Sequence, residues 1–273
     1  MKKNPSVGFY IFLAIFLIFI LFPFYYVFLT SIRKPSEIYS SFKIYTLDPT
    51  IQSYIHAFTW RPFGRYLYNS FIIAGGTTLL SIIIASFASY ATARLKFRGK
   101  SILLGVVLGV SMFPQIAIIS PMYIFLRDMG LRNTHMGLII PYITFSLPLA
   151  IWYLTTFFKD IPFSLEEAAK IDGASPFQAF FLVIAPLAAP GVFTTAILVF
   201  IGAWNEYLFA YTLNTDDYMR TVTVGITMFN SQYTVPWGEI SAAAVIVTVP
   251  LVIMVLLFQK RIVSGLTSGA VKG

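Results

Sequence analysis

The sequence predicts an all-α fold: an integral membrane helix bundle of six transmembrane helices, with a short cytoplasmic helix between spans four and five. Three observations carry this. Hydrophobic residues make up 58% of the 273 positions and charged residues only 11%, whereas a soluble domain carries about a quarter charged residues. Mean hydropathy is +0.78, so the chain has too few charges to cover a water-facing surface of its own. The apolar residues also fall into runs near or above ~18 residues, the length at which a helix crosses a bilayer.

Six runs divide a single transmembrane domain, 1–273, at about 9–30, 67–93, 102–126, 138–158, 190–211 and 237–258. At ~1.5 Å rise per residue each crosses a hydrocarbon layer of ~30 Å. The first run follows Lys2 and Lys3 and ends in Tyr25-Tyr26. It is longer than the ~7–15-residue core of a signal peptide and lacks a small-residue cleavage site, so it reads as an anchor. Pro23, Pro114, Pro148 and Pro250 lie inside runs; between packed membrane helices such prolines are tolerated. Gly75-Gly76 and Ala85-Ser86 offer small surfaces for close helix packing.

Charge sets the orientation. The net charge is +8, but no dense basic tract interleaves with aromatics as a nucleic-acid channel requires. The basic residues flank the spans instead. Arg94, Lys96, Arg98 and Lys100 fall within one short loop, and such density on a short loop marks the cytoplasmic side. Both termini are then cytoplasmic, as are the segment 162–186 and the tail 259–273, and the loop 212–236 is outside. The chain has no cysteine, and His56 and His135 are far apart. Disulfides, thiolate catalysis and cysteine metal sites are excluded, and no metal ligand set is expected.

The segment between spans four and five is a polar island. Glu166, Glu167 and Asp172 lie within it, between two apolar runs. Ser164 with Glu167 reads as a capping box. Asp172-Gly173 reads as a helix stop, and Ser175-Pro176 as a restart with N-cap and first-turn proline. Leu165, Ala168 and Ala169 share one face by i, i+3, i+4 spacing. A small apolar face flanked by carboxylates suits a groove on a partner; the alternative is a capped cytosolic loop with no partner.

Here the sequence resembles a known family. Glu167-Ala168-Ala169, then Gly173, then Val183, Ala185 and Pro186 follow, with two conservative replacements, the pattern of permease subunits of binding-protein-dependent ABC importers. The stretches 201–207 and 259–269 are similar to the carbohydrate branch, and the whole chain to the second six-span permease of maltose- and trehalose-type systems. The resemblance implies a non-catalytic transport subunit of a bacterial inner membrane, carrying a di- or oligosaccharide. It implies that Glu166, Glu167, Ala168, Ala169, Asp172, Gly173 and Pro186 dock a separate ATPase dimer through a coupling helix. ATP and magnesium are then used by that ATPase, and this chain binds no cofactor. A homologous partner permease and an extracytoplasmic solute-binding protein complete the assembly. The outer loop, with Gly225, Asn230 and Gln232, would reach the binding protein, and the tail would touch the ATPase.

Gly99-Lys100-Ser101 is the only fragment of a phosphate-binding loop, and Arg94 stands where its first glycine belongs. Asn205 and Glu206 fall in the outer third of span five, with Trp204 and Tyr207 suited to the interfacial belt. They read as boundary residues in preference to a gate. A self-contained secondary transporter or channel is the alternative function, but neither internal repeats nor midplane charges support it.

Overall fold

The computed structural model describes residues 6–40, 42–230 and 235–268. Among them the chain forms α1 (Val7–Ser31), α2 (Pro35–Ile38), α3 (Gln52–Thr59), α4 (Phe63–Arg94), α5 (Lys100–Ser111), α6 (Gln115–Asp128) and α7 (Met136–Asp160). Then follow α8 (Phe163–Ile171), α9 (Pro176–Ala179), a wide π-helical turn (Phe180–Ile184), α10 (Ala185–Asn205), α11 (Leu208–Leu213), α12 (Val222–Thr227) and α13 (Trp237–Ser268). Among the described residues, five helices are long and apolar enough to cross a membrane singly. They are α1, α4, α7, the continuous run from α9 through α10, and the apolar part of α13.

Three expected spans change shape. The third, expected at 102–126, is two helices, α5 and α6, bent by 93°. The break falls before Pro114, whose ring disfavours helical backbone at Phe113 and which has no amide to donate. The fifth, expected at 190–211, starts earlier, because Ser175-Pro176 begins a helix that continues through the π turn. It stops at Asn205, where Glu206 turns extended (ψ 133°). The sixth continues past 258 to Ser268, so most of the expected tail is helical; residues 269–273 lie outside the described residues.

The chain divides into two compact units. The first comprises 1–64 and 225–250. Within it α1 buries only its last three residues, Leu29, Thr30 and Ser31. Its other side chains present the apolar surface that a hydrocarbon layer accepts without penalty. Ser31 and Tyr54 share a hydrogen bond of 2.7 Å, and His56 Nδ1 lies 3.1 Å from Glu239 Oε1.

The second unit comprises 65–224 and 251–273. Its centre is α7, with Ala150, Leu154 and Phe158 fully buried among Ala85, Phe180 and Ile184. Polar cross-links tie α4 to α7. Ser89 donates to the Ile151 carbonyl (3.0 Å), and the Thr92 and Thr155 hydroxyls meet at 3.0 Å. Small residues set how closely helices approach, since in lipid it is packing that holds helices together. A Cβ on Gly191 of α10 would stand 2.3 Å from the Phe157 ring of α7.

Gly191→Val should therefore force α10 off α7, at a cost of about 1–3 kcal/mol. Thermal unfolding of detergent-solubilised protein should show a lowered midpoint, while Gly75→Ala, whose Cβ meets nothing within 4 Å, should not. A wild-type midpoint for Gly191→Val would contradict the described α7–α10 contact.

Candidate functional site

The polar island folds as α8, a sharp turn and α9. The helix begins two residues earlier than its serine suggests. Pro162 stands at the N-cap, no side chain caps the end, and Ser164 lies inside the first turn. The expected Ser164–Glu167 capping box is therefore absent, displaced by a proline whose fixed φ already sets the helix start. The stop behaves as expected. Gly173 takes φ +86°, its amide donates to the Lys170 carbonyl (3.1 Å), and the Ala174 amide donates to the Ala169 carbonyl (2.9 Å). This is the pair of bonds of a Schellman stop, which needs a left-handed residue at that position. Ser175 then caps α9. It accepts the Gln178 amide, while its own amide donates to Gln178 Oε1 (2.8 Å). The Ser-x-x-Gln signature of that box was present in the sequence.

The polarity of α8 is inverted for a surface helix. Glu166 is its one buried residue, at 2% exposure, while Ile171 is 85% and Leu165 42% exposed. Glu166 Oε1 accepts from the Tyr90 hydroxyl (3.0 Å) and from Lys170 Nζ (2.9 Å). Its Oε2 lies 3.7 Å from Arg94 Nε. Arg94 also donates to the Ile161 carbonyl (2.7 Å) and covers the Phe163 ring at 5.7 Å. Glu166, expected at a docking surface, thus faces the bundle. Glu167, Ala168, Asp172 and Gly173 are exposed and Ala169 half-buried. Ile171 extends the outward face, a role the sequence reading missed although its i+3 spacing from Ala168 pointed to it. Pro186 is exposed but lies in the first turn of α10, beyond the π turn and outside α8.

A second feature lies between α7, α10, α11 and the start of α6. It is a cleft of about 180 Å³ lined by Gln115, Tyr142, Ser146, Gly202, Glu206 and Phe209, among others. Glu206 closes one end. Its carboxylate accepts the Phe209 and Ala210 amides (2.8 and 3.1 Å) and the Tyr142 hydroxyl. These are amides that the first turn of α11 leaves without helical partners. Glu206 is thus a helix-paired carboxylate. Asn205 is exposed and bonds only back to the Ile201 carbonyl of its own helix (2.9 Å). Trp204, expected in the interfacial belt, is instead buried at 1% against Phe71 and Phe200.

The loop 212–236 is largely folded, where a free polar probe was expected. Up to Val224 it belongs to the second unit. Val222 and Val224 are fully buried, and Asn69 donates to the Tyr218 and Arg220 carbonyls (2.8 and 2.9 Å). Its valines were legible as core residues. In the first unit Gly225 is buried, which removes it from an accessible contact surface, whereas Asn230 is exposed. Gln232 lies outside the described residues.

A helical membrane domain of this architecture belongs to the class of integral membrane transport components. Residues 78–268 match the family described as binding-protein-dependent transport system inner membrane component, and the chain belongs to that family. It is 47% identical over 242 residues to the trehalose transport system permease protein SugB of Mycobacterium tuberculosis, covering 88% of each chain. It is 44% identical over 256 residues to the trehalose/maltose transport system permease protein MalG of Thermococcus litoralis, covering 93% of this chain and 92% of the relative. The fold matches a chain of a bacterial ABC transporter that imports alginate, with TM-score 0.79 at 23% identity over 95% of this chain and 99% of that one.

No side chain crowds Gly173, since a Cβ there meets nothing within 4 Å. Its requirement is its φ, and a β-branched residue in that region is penalised by roughly 1–2 kcal/mol. Gly173→Val should abolish transport while leaving membrane insertion and yield unchanged, whereas Gly173→Asn, which tolerates this backbone, should retain most of it. Normal uptake by Gly173→Val would contradict the need for this turn.

Proposed function

We propose that this chain is one permease subunit of an ATP-driven, binding-protein-dependent sugar importer for a di- or oligosaccharide of the trehalose–maltose kind. The observation that carries the driven-transport reading is α8. A helix at a water-facing end normally turns its charges outward and its apolar residues in. This one buries Glu166 and exposes Leu165, Ala168 and Ile171, an arrangement that suits a partner groove over it. That partner is a separate ATPase dimer, at which ATP and magnesium are used; in this chain Arg94 holds the Ile161 carbonyl where a phosphate loop would have a glycine. The termini and α8 face the cytoplasm, as the basic loop 94–100 favours. A homologous permease supplies the other half of the pathway, and a solute-binding protein delivers sugar from outside. The choice of sugar rests on the two relatives at 47% and 44% identity.

The cleft suits this substrate. Tyr142, Phe145 and Phe209 offer aromatic surface, and Gln115 and Ser146 offer polar groups beside it. Pockets combine apolar walls with a few placed polar groups in this way, and a sugar ring has both apolar faces and hydroxyl edges. Gly202 lines the cleft and a Cβ there meets nothing within 4 Å, so a larger residue fills the space without disturbing the helix. In proteoliposomes holding the whole complex, sugar-loaded binding protein should stimulate hydrolysis and drive trehalose or maltose uptake. Gly202→Leu should keep the ATPase bound and block uptake. Uptake at the normal rate by Gly202→Leu would remove the cleft from the sugar path, and uptake needing neither ATPase nor binding protein would support a self-contained transporter.

A further inference from the structure

Among the described residues, one polar joint, built by α4, holds the docking helix to the bundle. Tyr90 and Arg94 are four residues apart, hence on one face of the last turns of α4, and both converge on the buried Glu166 carboxylate. Arg94 spans the junction itself, because it also grips the Ile161 carbonyl between α7 and α8. Lys170, from α8, donates to the same oxygen as Tyr90, Oε1. On the same last turns of α4, the Ser89–Ile151 and Thr92–Thr155 bonds lock α4 to α7. On the other side of α8 the connections differ in kind. The chain passes through the left-handed Gly173 and the π turn Phe180–Ile184 before α10. There Phe180 meets Tyr90, Phe87 and Phe158 through ring contacts alone, at 5.1, 5.3 and 6.3 Å.

We infer that Tyr90, Arg94 and Glu166 form a clamp that makes α8, α4 and α7 move as one body, so that a displacement of the docking helix is delivered to α4 and α7. The inference rests on the reading of α8 as the ATPase-docking helix. The Tyr90 and Lys170 bonds to Glu166 Oε1 are charge-assisted and directional, the Arg94 guanidinium adds attraction at 3.7 Å, and a buried carboxylate that loses its partners is strongly destabilised. The joint therefore resists sliding. Ring-on-ring packing has no comparable direction, so the polar joint at Glu166 is the directional link from α8 to α4 and to the end of α7. The three residues are positioning residues: they transmit movement and touch neither sugar nor nucleotide.

The test uses the intact complex in proteoliposomes and reads sugar transported per ATP hydrolysed. Tyr90→Phe keeps the ring contacts with Phe180, and Glu166→Gln keeps the shape of the side chain while removing its charge. Both leave the outward face of α8 untouched. The double variant should retain the ATPase at wild-type stoichiometry and continue to hydrolyse ATP, but its transport-to-hydrolysis ratio should fall by about fivefold or more, the span of an ordinary coupling energy. A purely structural role would lower yield and ATPase association together and leave the ratio of the surviving complexes unchanged. An unchanged ratio in either variant set overturns the clamp while leaving the docking reading intact. A wild-type chain that fails to retain an ATPase overturns the docking reading, and the clamp with it. Arg94→Lys, which keeps the charge but loses the two-sided grip on Glu166 and Ile161, should show the same fall in ratio; wild-type coupling in that variant also counts against the clamp.

Discussion

A peptide group in hydrocarbon has no water to bond to, and every other feature of this chain is arranged around that constraint. It makes the helices long: α4 and α13 run 32 residues each. It also dictates where they break. At Asn205 the chain leaves its helix, and the Glu206 carboxylate takes up the amides of Phe209 and Ala210. At Phe113-Pro114 the break falls on a residue with no amide to satisfy. Both breaks border the same cleft, through Glu206 and Gln115. Irregular backbone at membrane depth is tolerated where it lines a cavity, and here the two interruptions create one.

At the water-facing end of α4 the physics reverses. Charge is welcome there, yet Glu166 is buried and three side chains, Tyr90, Arg94 and Lys170, close around it. The consequence is an outward face made of Leu165, Ala168 and Ile171. Burying a carboxylate is unfavourable unless it is well paired, and the pairing converts a flexible connection into a fixed lever. With α8 as the proposed docking helix, the elements read as a path from it, through α4 and α7, to the cleft that α7 lines with Tyr142, Phe145 and Ser146.

Much of this was legible from residue order. Uninterrupted apolar runs located the long helices, since length and hydropathy alone determine whether a segment crosses. Gly173 was legible because Asp-Gly after a helical turn calls for a left-handed residue, and Ser175-Pro176 because the pair is both cap and first turn. The failures were of two kinds. Ser164 lost its capping role to the neighbouring Pro162, a competition that the Ser-x-x-Glu pattern does not register. Glu166 and Glu167 are chemically identical neighbours, and only their rotation on the helix decides which one faces Arg94. Trp204 was assigned by depth, whereas packing against Phe71 and Phe200 sets its burial. The 93° break between α5 and α6 was signalled by Pro114, but membrane helices tolerate prolines often enough that the residue alone does not require it.

The chain has no cysteine, which permits a direct test of the claim that the outward face of α8 meets an ATPase. A single cysteine placed at Ala168 or Ile171, bearing a short photocrosslinker, should capture the ATPase subunit in membranes, and one placed at Tyr218 should not. Capture from Tyr218 but not from Ala168 or Ile171, at equal labelling, would contradict both the docking surface and the orientation proposed for this chain.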